Sequence, residues 1–290
     1  MWQLLQIELY KTFRRPRTYI AFGAITALII LLQFGLKVDG QEYASFMLQN
    51  LGNFDVEGKL LNGYMVCYIV LGLMLVHVPL LVTLVAADMI SGEANTGTLR
   101  LLLTKPYSRA SIVLAKFLAT CIYTLLLLIW IAILALFVSM LVFGTSDLFL
   151  MKNDYIVLIK QDDVFWRYCL AFCFAFVALV TVAAVGFFLS AFAENSIGPI
   201  VATMSIIILF TVIGALNIPV FQAVTPFLFT THMTTWKDFF DEKVNADNEA
   251  IAGSIQDIAS IINSLIILVV HIIVLLGATI WVMEKKDVLS

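Results

Sequence analysis

Met65-Val-Cys-Tyr-Ile-Val-Leu-Gly-Leu-Met-Leu-Val-His77-Val-Pro79-Leu-Leu-Val-Thr-Leu-Val-Ala-Ala87 runs without one acidic or basic residue other than a histidine. It exceeds the ~20 helical residues that cross a hydrocarbon core, so it reads as a membrane span. Working outward, run length gives five more spans, at 18–36, 111–143, 168–192, 198–219 and 260–283. The stretch at 111–143 is too long for one perpendicular crossing and must tilt, or begin as an amphipathic turn outside the bilayer. Composition agrees. Hydrophobic residues make up 62% and charged residues 13%, far from the roughly 45–50% and 25% of a soluble domain. The expected fold is an all-α integral membrane domain over 1–290, with no soluble domain between spans.

An even number of spans puts both termini on one side, and lysine and arginine choose that side. Lys11, Arg14, Arg15, Arg17, Arg100, Lys105, Arg109, Lys116, Lys285 and Lys286 fall on the terminal side, ten against seven on the other. The termini are therefore expected in the cytoplasm. The N-terminal basic stretch and apolar run lack a small-x-small cleavage site at 33–37, so they read as a retained anchor. Within residues 1–17, Trp2, Leu5, Leu9 and Phe13 recur on one helical face while Lys11, Arg14 and Arg15 cluster on the other, and Pro16 ends the helix. This predicts an amphipathic elbow helix lying in the headgroup plane.

Between the second and third spans runs Asp88-Met-Ile-Ser-Gly-Glu93-Ala-Asn-Thr-Gly97-Thr98-Leu99-Arg100-Leu-Leu-Leu103-Thr-Lys105-Pro106-Tyr-Ser108-Arg109. Gly97 and Thr98 give a break and a cap, Leu99–Leu103 a short apolar helix, Pro106 its end, and Ser108 the cap of the next helix. Three consecutive leucines at an aqueous face predict a docking surface. Read as an ordinary connector, the same loop would hold only a Glu93–Arg100 surface pair, worth ~0–1 kcal/mol. Asp88 can reach the interface from the end of the second span.

These residues resemble the permeases of the type-2 ATP-binding cassette (ABC-2) transporters. Glu93, Gly97, Thr98, Leu99, Arg100, Leu102, Leu103, Pro106, Ser108, Arg109 and the downstream Lys116 match that family's pattern in order and spacing. Glu8, Lys11, Arg14 and Arg15 resemble its elbow helix. The resemblance implies a permease dimer in a bacterial inner membrane, clamped by two separate ATPase subunits that bind ATP and Mg. It also makes the loop from Glu93 to Arg109 a coupling helix, with the first, second and fifth spans at the dimer interface or pathway.

Several chemistries have no motif here. No phosphate-binding Gly-x-x-x-x-Gly-Lys-Ser/Thr loop, His-Glu-x-x-His helix or Gly-x-Ser-x-Gly elbow occurs, so no cofactor and no catalytic residue are expected in this chain. His77 and His271 sit mid-span, where ionisable groups are uncommon. They form either a shared polar site or two interhelical hydrogen bonds. Cys169 and Cys173, one turn apart with Cys67 at similar depth, suit packing better than a metal. Trp236, Phe239 and Phe240 in the loop at 220–259 suggest an interfacial belt or short outer helix. Two other functions stay open: an ion-coupled transporter working through the histidines, and a membrane scaffold for a maturation complex.

Overall fold

The computed structural model describes residues 1–40, 42, 61–151, 156–216, 218–245 and 250–286. Helix α1 (Trp2–Arg14) turns at Arg15 into α2 (Pro16–Val38), where Pro16 occupies the first turn, a position in which its missing N–H costs nothing. Then come α3 (Gly63–Ala86), the short α4 (Ser91–Asn95) and α5 (Thr98–Leu103), and the long α6 (Arg109–Phe143). Strands β1 (Leu148–Met151) and β2 (Ile156–Ile159) pair antiparallel. Helices α7 (Gln161–Ser190), α8 (Ile197–Ala215), α9 (Pro219–Gln222), α10 (Phe229–His232) and α11 (Ile258–Lys285) complete the chain, with a 3-10 helix at Met233–Phe240. Among the described residues six helices (α2, α3, α6, α7, α8 and α11) are long and apolar enough to cross a membrane, which makes this an all-α integral membrane protein.

Burial is uneven among the six. The most apolar window of α7 is 61% buried within the protein and that of α3 44%, against 17% for α8 and 11% for α11. Helix α7 is thus the central post, with α3, α6, α8 and α11 packed around it. Its small residues Ala178, Ala183, Ala184 and Gly186 sit at these contacts, where short side chains let helices approach. Gly63 marks the tightest approach. A Cβ there would lie 2.5 Å from the Met140 backbone, so α3 and α6 touch main chain to main chain. Asn62 caps α3 by accepting from Met65 N (2.9 Å), and Asp257 caps α11 through Ser260 N (2.9 Å).

Local differences from the sequence reading have physical causes. Helix α6 absorbs its length through a π-helical stretch, Ile133–Val138, into which buried Gln33 of α2 donates, reaching Leu134 O (2.7 Å) and Ser139 Oγ (2.9 Å). After it come the paired strands β1 and β2, and α7 begins at Gln161, not 168. Asp162 and Asp163 sit in its first turn, where carboxylates favour a helix start. Trp236, Phe239 and Phe240 are buried against α3 and α7 and form no interfacial belt. Tyr68, Tyr168 and Phe240 make their ring contacts.

Candidate functional site

At the end of the bundle carrying the N-terminus, four charged side chains from three elements close into a ring. Lys11 Nζ of α1 donates to Glu8 Oε1 (2.9 Å) and to Glu93 Oε1 of α4 (2.8 Å). Lys116 Nζ of α6 donates to Glu8 Oε2 (2.8 Å) and pairs with Glu93 Oε2 at 2.7 Å. Two cations and two anions alternate. Lys116 is 1% exposed and both carboxylates are nearly as enclosed, so each charge depends on the others rather than on water. Burial pushes the Glu93 carboxyl up, but Lys116 and Lys11 outweigh it and hold the group below the usual glutamate range. Burial likewise pulls the half-buried Lys11 ammonium down, and its two carboxylate partners reverse this, raising it.

A second cluster adjoins the ring. Asp88, 2% exposed, pairs with Arg15, with Arg17 (2.6 Å) and with the Ser196 hydroxyl that opens α8. Gly92 lies so close that a Cβ would collide with the Asp88 carboxylate. Ser190 Oγ, at the end of α7, accepts from Ile90 N (3.1 Å) and Ser91 N (2.8 Å), fastening the turn before α4 to the central post. The connection between α3 and α6 is thereby tied to α1, α6, α7 and α8 at once.

On this base stands α5. Gly97 adopts φ +71° and is itself the N-cap, so the capping position falls one residue before Thr98, which is helical. Leu99 points inward at 2% exposure and packs with Met89, Val113 and Phe187, so it is no part of an outer docking face. What faces outward is Arg100, Leu101 at 68% exposure, Lys105, Pro106 and Tyr107. Ser108 Oγ accepts from Ser111 N (3.2 Å) and caps α6. Arg109 turns away from this face: its Nη1 donates to the carbonyls of Met283 (2.9 Å), Glu284 (3.0 Å) and Lys286 (2.8 Å), closing the C-terminus of α11.

The elbow residues split. Glu8 and Lys11 enter the ring, Arg15 joins Asp88, and Arg14 stacks over the Tyr10 ring at 5.0 Å on the exposed side. The buried stripe of α1 is Leu4, Glu8 and Thr12, and Trp2 is exposed. Glu93 spends both oxygens on Lys11 and Lys116.

Lys116 falls in the spacing quoted above and Asp88 was placed at the interface, but neither was given a partner, and Ser196 was not singled out. Lys116 carried the one usable signal, a lysine flanked by Ala115 and Phe117 in an apolar helix, which requires a buried counter-charge. His77, exposed on α3, donates from Nδ1 to Leu73 O (2.9 Å) and His271 of α11 to Ile267 O (2.8 Å). Each ring is held by its own helix. Cys67 is buried, Cys169 and Cys173 are exposed, and no group of three or more potential metal ligands occurs among the described residues.

Six helices able to span a membrane among the described residues, with a short helical hairpin between the second and third, define the class: a polytopic membrane protein. The sequence profile of the ABC-2 family transporter proteins matches residues 2–288, and the chain belongs to that family. It is therefore a transmembrane permease of the ABC transporter class, a family whose members work with an ABC ATPase. A comparison with curated proteins finds no match.

Proposed function

We propose that this chain is the permease of an ATP-driven exporter, with α4 and α5 forming the coupling element that receives the motion of a separate ATPase from the cytoplasmic side. The observation that carries this reading is the division of labour within one hairpin. Its outer face offers Arg100, Leu101, Lys105 and Tyr107 to a partner, while its inner face is locked through Glu93 to α1 and α6. A load applied to α5 is passed to the elbow and the third span without a flexible joint, since both Glu93 and Lys116 are enclosed. Two such permeases, with ATP and Mg held by the ATPase pair, would rock as rigid bodies and release cargo outward. Of the coupling residues, Glu93, Leu99 and Arg109 then hold the knob from within, Gly97, Thr98, Leu103 and Ser108 set its helix and caps, and contact falls to Arg100, Leu101, Lys105, Pro106 and Tyr107.

The test is capture of the co-expressed ATPase by tagged permease. Leu101→Asp and Arg100→Glu should each abolish capture while leaving the permease monodisperse, and Lys116→Met should keep capture but lose transport-coupled ATP hydrolysis. Capture that survives both surface changes would sink the assignment.

A further inference from the structure

Away from the ionic mount, between α3, α6 and α7, lies a crevice of about 540 Å3 counting its open mouth. Every residue lining it is apolar: aliphatic side chains, Pro79, Phe172, the thioethers of Met74 and Met233, and the indole-bearing Trp236. The lining stretch of α7, from Ala171 to Leu179, is the middle of a helix that runs Gln161–Ser190, so the crevice sits at hydrocarbon depth. Its outer end is closed by Met233 and Trp236 of the 3-10 helix. That helix is fixed in place because buried Arg167 donates to Phe239 O (2.8 Å). Its floor is buried, whereas Leu71, Leu75, Phe172 and Ala175 at its rim are only partly so.

From this we infer a binding site for one hydrocarbon chain, that of a membrane phospholipid, entering sideways with its headgroup left outside. Three observations fix the chemistry. Among the described lining side chains only the Trp236 indole N–H can hydrogen-bond, one donor and no acceptor, too little to replace the bonds that a headgroup or a water cluster would surrender, so polar occupants are disfavoured by cost. The partly buried rim residues Leu71, Leu75, Phe172 and Ala175 all belong to the membrane-spanning α3 and α7, a depth at which acyl chains are the solvent. An unfilled crevice would forfeit dispersion contacts on every wall, and the unbranched thioethers of Met74 and Met233 adapt to a flexible chain. Pro79 lies on the wall and sends no N–H back along α3, so an occupying chain would bear on the least braced turn of that helix. The inference needs only the membrane-spanning architecture and is independent of any ATPase.

Trp236 is the reporter. In a variant keeping Trp236 alone (Trp2, Trp130, Trp166 and Trp281 each →Phe), emission should be quenched in bilayers of phosphatidylcholine brominated at mid-chain. The added change Ala175→Phe, which plugs the rim, should abolish that quenching. Ala175→Leu serves if the larger plug lowers the yield of folded protein. An independent reading uses the otherwise unaltered chain: phosphatidylcholine with a mid-chain diazirine should cross-link to the Leu71–Pro79 and Ala171–Leu179 segments, and the plug should remove both adducts. Quenching that is absent, or unchanged by the plug, overturns the site. Quenching by a brominated detergent but by no brominated phospholipid assigns the crevice to a free amphiphile and overturns the lipid.

Discussion

Two buried charge clusters, one at each end of the bundle, solve the same problem in different ways. The ring at the elbow end balances Lys11 and Lys116 against Glu8 and Glu93. At the opposite end a single guanidinium, Arg167, fully buried, serves two carboxylates: Asp163 (2.6 Å) on its own helix and Glu242 (3.0 Å) in the loop before α11. It also donates to Phe239 O and Ser254 O, both at 2.8 Å, while Gly253 N donates to Asp163 Oδ2 (3.0 Å). The ring is neutral and joins three elements, so each member is indispensable. The clasp is one negative charge in excess and holds a loop, so one carboxylate is dispensable and its proton is weakly held back. A balanced cluster suits a mount that transmits load, and an unbalanced one suits a fastening.

The largest break in this comparison should come from Lys116→Met. It leaves two enclosed carboxylates sharing one lysine and should cost about 3–5 kcal/mol, read from the unfolding midpoint in a denaturing-detergent titration. Adding Glu93→Gln should recover more than half of that loss, because the remaining Glu8–Lys11 pair is again neutral. Next, Arg167→Lys keeps the charge but cannot span two carboxylates and two carbonyls; a loss of about 2–3 kcal/mol is expected. Smaller still is Gly97→Ala. A Cβ there meets nothing within 4 Å, so only the left-handed backbone is penalised, by about 1 kcal/mol.

Glu242→Gln should move stability least, by under about 0.5 kcal/mol at acidic pH, yet it sharpens the contrast between the ends. Burial comes first in raising the Glu242 carboxyl above the usual glutamate value, and neighbouring Asp163 adds to it against the opposing pull of Arg167. A raised group contributes stability that is complete below its unfolded pKa and lost as pH climbs through the folded one. Glu93 is depressed, so its contribution is complete above the unfolded value and lost as pH falls through the folded one. Acidification should therefore add stability through Glu242 and remove it through Glu93, while Asp163, which its bonds to Arg167, Trp166 and Gly253 hold below the usual aspartate value against the push of burial, opposes Glu242 within the clasp. Glu242→Gln should flatten the first slope and Glu93→Gln the second; parallel slopes in the two variants would contradict the assignment.

Much of the fold was legible because bilayer thickness acts on single helices. The apolar runs locate all six long helices, and Pro16, Pro106 and Ser108 mark turns and caps through backbone properties that need no partner. The hairpin between α3 and α6 was legible too, as order and spacing. Its interior was not. Leu99 reads as part of the docking helix until it is seen buried in the cluster that holds Met89 and Phe187, and nothing in the periodicity of the elbow announces that Glu8 is enclosed. The aromatic run at Trp236–Phe240 was legible as a short helix but not as a buried one: composition reports that rings avoid water, not which surface they avoid it on.

By itself, then, the sequence determined that this chain lives in a bilayer, how many long apolar helices it has, which stretch projects between the second and third, and that no phosphate-binding loop accompanies them. These follow from lengths, residue types and neighbours along the chain. Tertiary structure alone decided that Glu8, Lys11, Glu93 and Lys116 form one ring, that Arg109 closes α11, that Arg167 clasps the loop over the apolar crevice, and which side of α5 is left outward. The reason is the separation of partners: Glu8 and Lys116 stand more than a hundred positions apart, and nothing local to either residue encodes the other.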